Sequence, residues 1–231
     1  MIKKFLPITL FLAVLVAVCI TTVTAALTRP MVSPSSWIDN IKQARPYRQV
    51  AEADMTANGT IELYELTNGD LTIRENEKTL WRSPDEWWID YFAIADATHD
   101  GKINLVLSLW KSGNYGPSRP FWETQNDSAV KNHLFVLEFS DNLFREIWGS
   151  SNLSVPNCEM LFRDVDQDNK QELIVIEGIY TDDFSCTGEY LAVWKWDEWG
   201  FYNEWRSSAG IYQNIQSTLA QIPSLVTNNN L

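Results

Sequence analysis

Histidine is almost missing from this chain: among 231 residues only His99 and His133 carry an imidazole. His99 sits in an acidic loop and His133 opens an apolar strand pattern, so no Ser-His or Cys-His nucleophilic pair is evident. Basic residues are scarce too, 18 Lys and Arg against 30 Asp and Glu, for a formal charge of −12. Without a basic face for phosphates, nucleic acid is excluded as a partner. Helical periodicity is rare; alternation with period two dominates and points to strands. Long apolar runs are absent except for one, from Phe5 to about Leu27, which is uncharged and preceded by Lys3 and Lys4. That run reads as a signal peptide or a membrane anchor over residues 1–27, with the rest of the chain outside and no other membrane contact. Val23-Thr24-Ala25 supplies small residues for cleavage before Ala26. Roughly 20 apolar residues also suffice to span a bilayer, and both readings stay open. Losing Lys3 and Lys4 with the leader would take the charge from −12 to −14.

Cysteine is equally sparse. Cys158 and Cys186 alone lie outside the leader, and two remaining thiols of an exported chain usually pair, the competing reading being two buried free thiols. They flank the two ends of an expected antiparallel hairpin, which brings them within disulfide reach. Closing that loop stabilises by about 3 kcal/mol in the chain-entropy model.

What the chain has instead is repetition. Asp54-Met-Thr56-Ala-Asn58-Gly59-Thr-Ile-Glu62-Leu63, Asp96-Ala-Thr98-His-Asp100-Gly101-Lys102-Ile-Asn104-Leu105 and Asp164-Val-Asp166-Gln-Asp168-Asn169-Lys170-Gln-Glu172-Leu173 share one pattern. Each repeat closes alike, in Trp81-Arg-Ser83, Trp148-Gly-Ser150 and Trp205-Arg-Ser207, so the unit is a whole supersecondary block. Strand signals fall at 48–53, 60–66, 70–76 and 78–83; at 91–95, 104–110, 133–139 and 143–149; and at 160–163, 172–177, 190–196 and 201–207. Four-stranded meanders repeated in this way predict an all-β, propeller-like array over residues 48–207. Residues 28–47 read as a linker with a short helix from Ser36 to Ala44, and residues 208–231 as a tail in which 211–218 form the first strand of a degenerate fourth repeat. A partial open array, a homo-oligomer completing a ring and blades supplied by a partner all remain open.

In the third loop, side-chain oxygens come from positions one, three, five and nine, Asp164, Asp166, Asp168 and Glu172, and the Lys170 carbonyl adds a fifth ligand. Such alternation suits Ca²⁺, a hard cation that takes six to eight oxygens. An EF-hand is excluded, because Val175 stands at position twelve and a strand follows. The second loop offers Asp96, Thr98, Asp100 and Asn104 with the Lys102 carbonyl. The first, with Asp54, Thr56, Asn58 and Glu62, reads as metal-free. The competing reading of all three is a hairpin turn whose carboxylates cap backbone amides.

Asp164-x-Asp-x-Asp-x-x-x-Glu-Leu followed by an apolar strand resembles the FG-GAP (integrin-α type) and VCBS-like repeats. The likeness covers residues 48–207. The sequence departs from the family where Thr56 and Thr98 replace an aspartate, and it lacks the Phe-Gly and Gly-Ala-Pro signatures. The resemblance implies Ca²⁺ held in the loop of each blade and an extracellular adhesion or ligand-binding module.

On the side opposite the acidic loops, a long connection from Lys111 to Asp127 carries aromatic rings. Trp110, Tyr115, Phe121, Trp122 and Tyr180 make a candidate platform for a glycan or protein ligand. The competing reading packs these rings over blade edges. A glycan-acting hydrolase is the alternative function, with Asp182 and Asp183 beside Tyr180 and Glu123 or Asp127 across a sugar bond. A purely structural envelope component is the other.

Overall fold

Alternating side chains and left-handed turn residues give the chain its strands. The hairpin between Glu62–Thr67 and Asp70–Glu75 turns on Asn68 and Gly69, at φ 49° and 85°, and that between Val130–Ser140 and Leu143–Gly149 on Asp141 and Asn142, at 51° and 61°. Positive φ at both central residues matches the right-handed twist of the flanking strands. The computed structural model describes residues 37, 38, 41, 47–114, 121, 122, 124 and 128–221. Among them run twelve strands: β1 (Arg48–Ala53), β2 (Glu62–Thr67), β3 (Asp70–Glu75), β4 (Lys78–Arg82), β5 (Trp88–Ala95), β6 (Asn104–Ser112), β7 (Val130–Ser140), β8 (Leu143–Gly149), β9 (Asn157–Arg163), β10 (Glu172–Gly178), β11 (Gly188–Asp197) and β12 (Gly200–Arg206). They form three antiparallel sheets of four, each a meander in chain order. The all-β expectation holds, with β1 and β8 at the expected residues.

The corner that ends each repeat has a physical basis. Ser83, Ser150 and Ser207 each donate a backbone N–H at 2.9 Å to the carbonyl of a third-strand leucine, Leu71, Leu134 or Leu191. Each serine Oγ accepts the same leucine's N–H, at 3.1, 2.9 and 3.0 Å. The tryptophan two residues earlier stands opposite Ile73, Val136 or Val193, beside a break in register present in all three sheets.

Parity along the strands decides what each sheet faces. Tyr64, Leu66, Leu71 and Ile73 of the first sheet meet Leu105, Leu107, Phe135 and Leu137 of the second. The alternate residues of the second sheet, Val106, Leu134 and Val136, meet Leu173, Val175 and Ala192 of the third. The remaining face of the third, Ile174, Ile176, Leu191 and Val193, is covered by Ile215 and Leu219. Those two belong to a helix, α1 (Ile215–Gln221). The outer face of the first sheet is polar instead, with Glu65 paired to Arg48 at 3.6 Å and to Arg74 at 3.3 Å.

Helix α1 corrects the expected fourth-repeat strand over 211–218. Tyr212 makes a single bridge to Gly188, and the chain then turns helical. Asn214 caps it, accepting the Ser217 N–H at 3.0 Å, and Glu159 accepts the Ile215 N–H at 2.9 Å. The buried residues Ile215, Thr218 and Leu219 fall at i, i+3 and i+4, one face of a helix, whereas a strand would put Thr218 on the opposite face from the other two. Of the short helix expected near residue 40, Trp37, Ile38 and Ile41 are helical, and Trp37 and Ile41 are buried with Trp88 and Trp110. The leader and the end of the tail lie outside the described residues, among which no helix is long and apolar enough to cross a membrane.

Candidate functional site

The three acidic loops share most of one hydrogen-bonded frame; in the third, position one takes the N–H of position four instead of five, and the position-five N–H of Asp168 goes to Asp166 Oδ1 at 3.2 Å. Position one, Asp54, Asp96 or Asp164, accepts two backbone N–H groups: those of Asn58 and Gly59, Asp100 and Gly101, Gln167 and Asn169, at 2.6–3.1 Å. Position five, Asn58, Asp100 or Asp168, accepts the N–H two residues on. Position nine, Glu62, Asn104 or Glu172, is buried and accepts the N–H of position two. Positions four and six are left-handed in every loop: Ala57 and Gly59, His99 and Gly101, Gln167 and Asn169. The second and third loops are neighbours, with His99 Nε2 3.2 Å from the Gln171 carbonyl.

Position three separates the loops chemically. Thr56 donates its hydroxyl to Glu62 at 2.5 Å, and Thr98 donates to Asn104 Oδ1 at 3.3 Å. A threonine proton thus satisfies the buried acceptor. In the third loop Asp166 has no proton to give. Carboxylate oxygens of Asp164, Asp166 and Glu172 converge to within 4.8 Å of one another. Two oxygens each about 2.4 Å from a Ca²⁺ ion lie no further apart than about 4.8 Å, so the triad fits a shared hard cation. Asp168 is exposed and outside that triad, spending Oδ1 on the Lys170 N–H at 2.8 Å.

One positive charge already answers the cluster. Lys195 on β11 places Nζ 2.6 Å from Asp166 Oδ2. That bond holds the Asp166 carboxyl below its ordinary range and raises the Lys195 ammonium. Burial raises Glu172, opposed in part by the Val165 N–H and helped by the charges of Asp166 and Asp168. No sequence signal marks Lys195, which lies 29 residues from Asp166 and reaches it only through the sheet.

The second loop is differently placed for a cation. Asp96 spends both oxygens on backbone amides, as Asp164 does in the third loop, so the difference lies at positions three and nine: Asn104 Oδ1 accepts from Ala97, Thr98 N–H and the Thr98 hydroxyl. Asn104 then presents its remaining polar atom, a buried Nδ2 without a hydrogen-bond partner, and an N–H donor does not ligate a cation. Lys102 adds its own ammonium, 3.8 Å from Asp100 and 3.4 Å from Glu138.

The rings expected to form one platform fall in two places. Trp110 is 1% exposed and donates Nε1 to Asp90 at 2.5 Å, a carboxylate that also accepts Trp88 Nε1 at 3.1 Å. Its faces meet Tyr180 and Phe184 edge-on at 5.6 and 5.3 Å. Tyr180 is half-buried, bonds the Leu153 carbonyl through its hydroxyl at 2.8 Å and carries Lys131 over its ring; burial pushes its phenol up to about 12. These two rings are packing residues here, because both faces of β6 are covered. Phe121 and Trp122 are exposed, 91% and 70%, and stack edge-on at 4.8 Å. Tyr115, Glu123 and Asp127 lie outside the described residues. Asp183 is exposed, and the Ser185 N–H that it accepts at 3.0 Å holds its carboxyl low; Asp182 is exposed beside it.

Cys158 and Cys186 form the expected disulfide, with Cα atoms 5.4 Å apart. A Cβ on Gly178 would stand 2.5 Å from Cys158 Sγ, so glycine is what the bridge requires there. Compared with known proteins, the chain matches no family model, no curated protein and no solved structure.

Proposed function

We propose that this chain is an exported binding module of FG-GAP- or VCBS-like, propeller-like blades, steadied by calcium at the third corner. The observation that carries the reading is the substitution of carboxylate for threonine within a largely shared frame: Asp166 faces Asp164 and Glu172 where Thr56 and Thr98 satisfy their neighbours by a proton. Calcium would be held by Asp164, Asp166 and Glu172, with the Lys170 carbonyl within the same loop, and would displace the Lys195 ammonium from Asp166. Its service is structural, neutralising charge at the turn between β9 and β10. The charged, apolar N-terminal pattern and the Cys158–Cys186 bridge support export.

The largely polar outer face of the first sheet and the helix over the third support an open array of three blades rather than a ring completed by a second copy, since neither end presents a broad apolar face to a fourth blade. Thermal unfolding of the purified protein in calcium and in chelator tests the reading. A higher melting temperature in calcium is expected; identical curves would reject the cation.

A further inference from the structure

The seam between the second and third sheets holds a groove of about 390 Å³, lined by Trp148, Trp194, Trp199 and Phe201 and by the polar Ser151 and Asn157 among others. It exists because the repeat fills its two seams differently. Counted from Leu134 and Leu191, which hold the corner serines, Phe135 of the second sheet corresponds to Ala192 of the third. Phe135 packs into the first seam and Ala192 into the second, so a ring stands in one where a methyl group stands in the other.

The first seam also gains Trp87, which meets Phe135 edge-on at 5.2 Å. Trp87 lies in a turn that the later repeats lack. Ile89, Leu153 and Gly210 donate to the equivalent carbonyls of Gly69, Asn132 and Glu189, yet Ile89 comes six residues after Ser83, while Leu153 and Gly210 come three after Ser150 and Ser207.

Three rings of the open seam, Trp148, Trp194 and Phe201, are fixed in advance. Trp148 meets Trp196 and Phe201 edge-on at 5.8 and 5.5 Å. Trp194 donates Nε1 to Glu177 at 3.2 Å, and Glu177 is anchored in turn by Arg206. A Cβ on Gly200 would come 3.0 Å from Trp148 Nε1, so glycine lets the β11–β12 turn close on Trp148 and carry Trp199, 83% exposed, to the groove. Asn157 is 6% exposed, and its side-chain amide makes no hydrogen bond among the described residues.

We infer that this groove binds a sugar ring of a neutral glycan. A pyranose offers a C–H face to the electron-rich face of an indole and a rim of hydroxyls to an amide such as Asn157. A hydrocarbon chain would bury that amide unsatisfied, and an anionic ligand would meet a chain of net charge −12. Preorganised rings lose little freedom on binding. The inference rests on the binding-module reading but needs no cation.

The test uses the full chain and a panel of neutral oligosaccharides, two to about six units of glucose, galactose, mannose or N-acetylglucosamine, in calcium and in chelator, read by saturation-transfer NMR and tryptophan fluorescence. At least one panel member binds, and Trp199→Ala and Asn157→Ala each weaken it by about tenfold or more. Trp199→Ala keeps the parent's melting temperature and calcium response, which separates lost binding from lost fold. No binding at millimolar sugar, or binding that both variants retain in full, overturns the groove. Sugar binding without any calcium response leaves the groove standing and rejects the cation alone.

Discussion

Replacing Asp166 by threonine should turn the third corner into a copy of the first two. The backbone is already that of a threonine-bearing loop, left-handed at Gln167 and Asn169 as at Ala57 and Gly59, so the new hydroxyl can reach Glu172 as Thr56 reaches Glu62 at 2.5 Å. A hydroxyl bond to a charged acceptor contributes about 2 kcal/mol. Loss of the Lys195 pair costs about 1 kcal/mol, since both its side chains are partly solvated, at 20% and 23% exposure, and loss of the Asp168 N–H bond that Asp166 accepts at 3.2 Å costs about another 1 kcal/mol. Relief of carboxylate repulsion adds to the gain: two charges 4.8 Å apart repel by about 3 kcal/mol at an effective dielectric of about 20, before Lys195 offsets part of it. With Lys195 offsetting about half of that repulsion, the net gain in chelator is about 1–2 kcal/mol, smaller than the calcium effect, a rise of roughly 2–8 °C for a chain of this size. Calcium at about a hundred times its dissociation constant should stabilise the parent by about 2.7 kcal/mol and Asp166→Thr not at all. Differential scanning calorimetry in the two buffers should therefore show the order of melting temperatures reverse. If calcium raises both proteins equally, or if the variant is less stable than the parent in chelator, the account of position three is wrong.

Three further outcomes follow from the same geometry. Ala57 sits at φ 54°, where an L side chain costs about 1 kcal/mol, so Ala57→Gly should raise stability by about 0.5–1 kcal/mol in urea denaturation; a loss would refute the strain. Burial raises Glu159 above the ordinary carboxylate value of 4.5, against the pull of the Ile215 N–H. From 4.5 up to that raised value the folded chain holds a proton that the unfolded chain has released, so stability falls as pH rises through the window. Glu159→Gln should flatten that fall in melting temperature between about pH 4 and about pH 7, and parallel profiles would count against it. Removing the Cys158–Cys186 bridge, which spans a separation of 28 residues, by Ala at both positions should cost roughly 3–4 kcal/mol; a cost below about 1 kcal/mol would contradict the chain-entropy argument.

Much of the fold was legible in the sequence because it is local. Alternation in Glu62–Thr67 and Asp70–Glu75, with Asn68-Gly69 between them, specifies a hairpin without help from elsewhere. The run Leu105–Trp110, apolar except for Ser108, already signals a strand covered on both faces, and with it a buried Trp110; alternation alone hid that signal. Asn214 followed by Ile215 and Leu219 carries a capped-helix pattern that repeat symmetry overrode in favour of a strand. The third corner was legible through its aspartates, but the distinction between Asp168 and the converging triad was not, because it depends on which carboxylates the turn directs inward.

The sequence by itself determined the strands, the repeat, the three acidic corners and the cysteine pairing, since each depends on residues close together along the chain or on a periodicity within one strand. Tertiary structure decided what those elements meet: Lys195 beside Asp166, Trp110 sealed between Asp90, Tyr180 and Phe184, α1 closing the third sheet, and Ala192 leaving open the seam that Phe135 fills one sheet earlier. The physical reason is that packing joins residues far apart in sequence, and only the stacking of whole sheets determines which face of a strand finds a partner and which finds a groove.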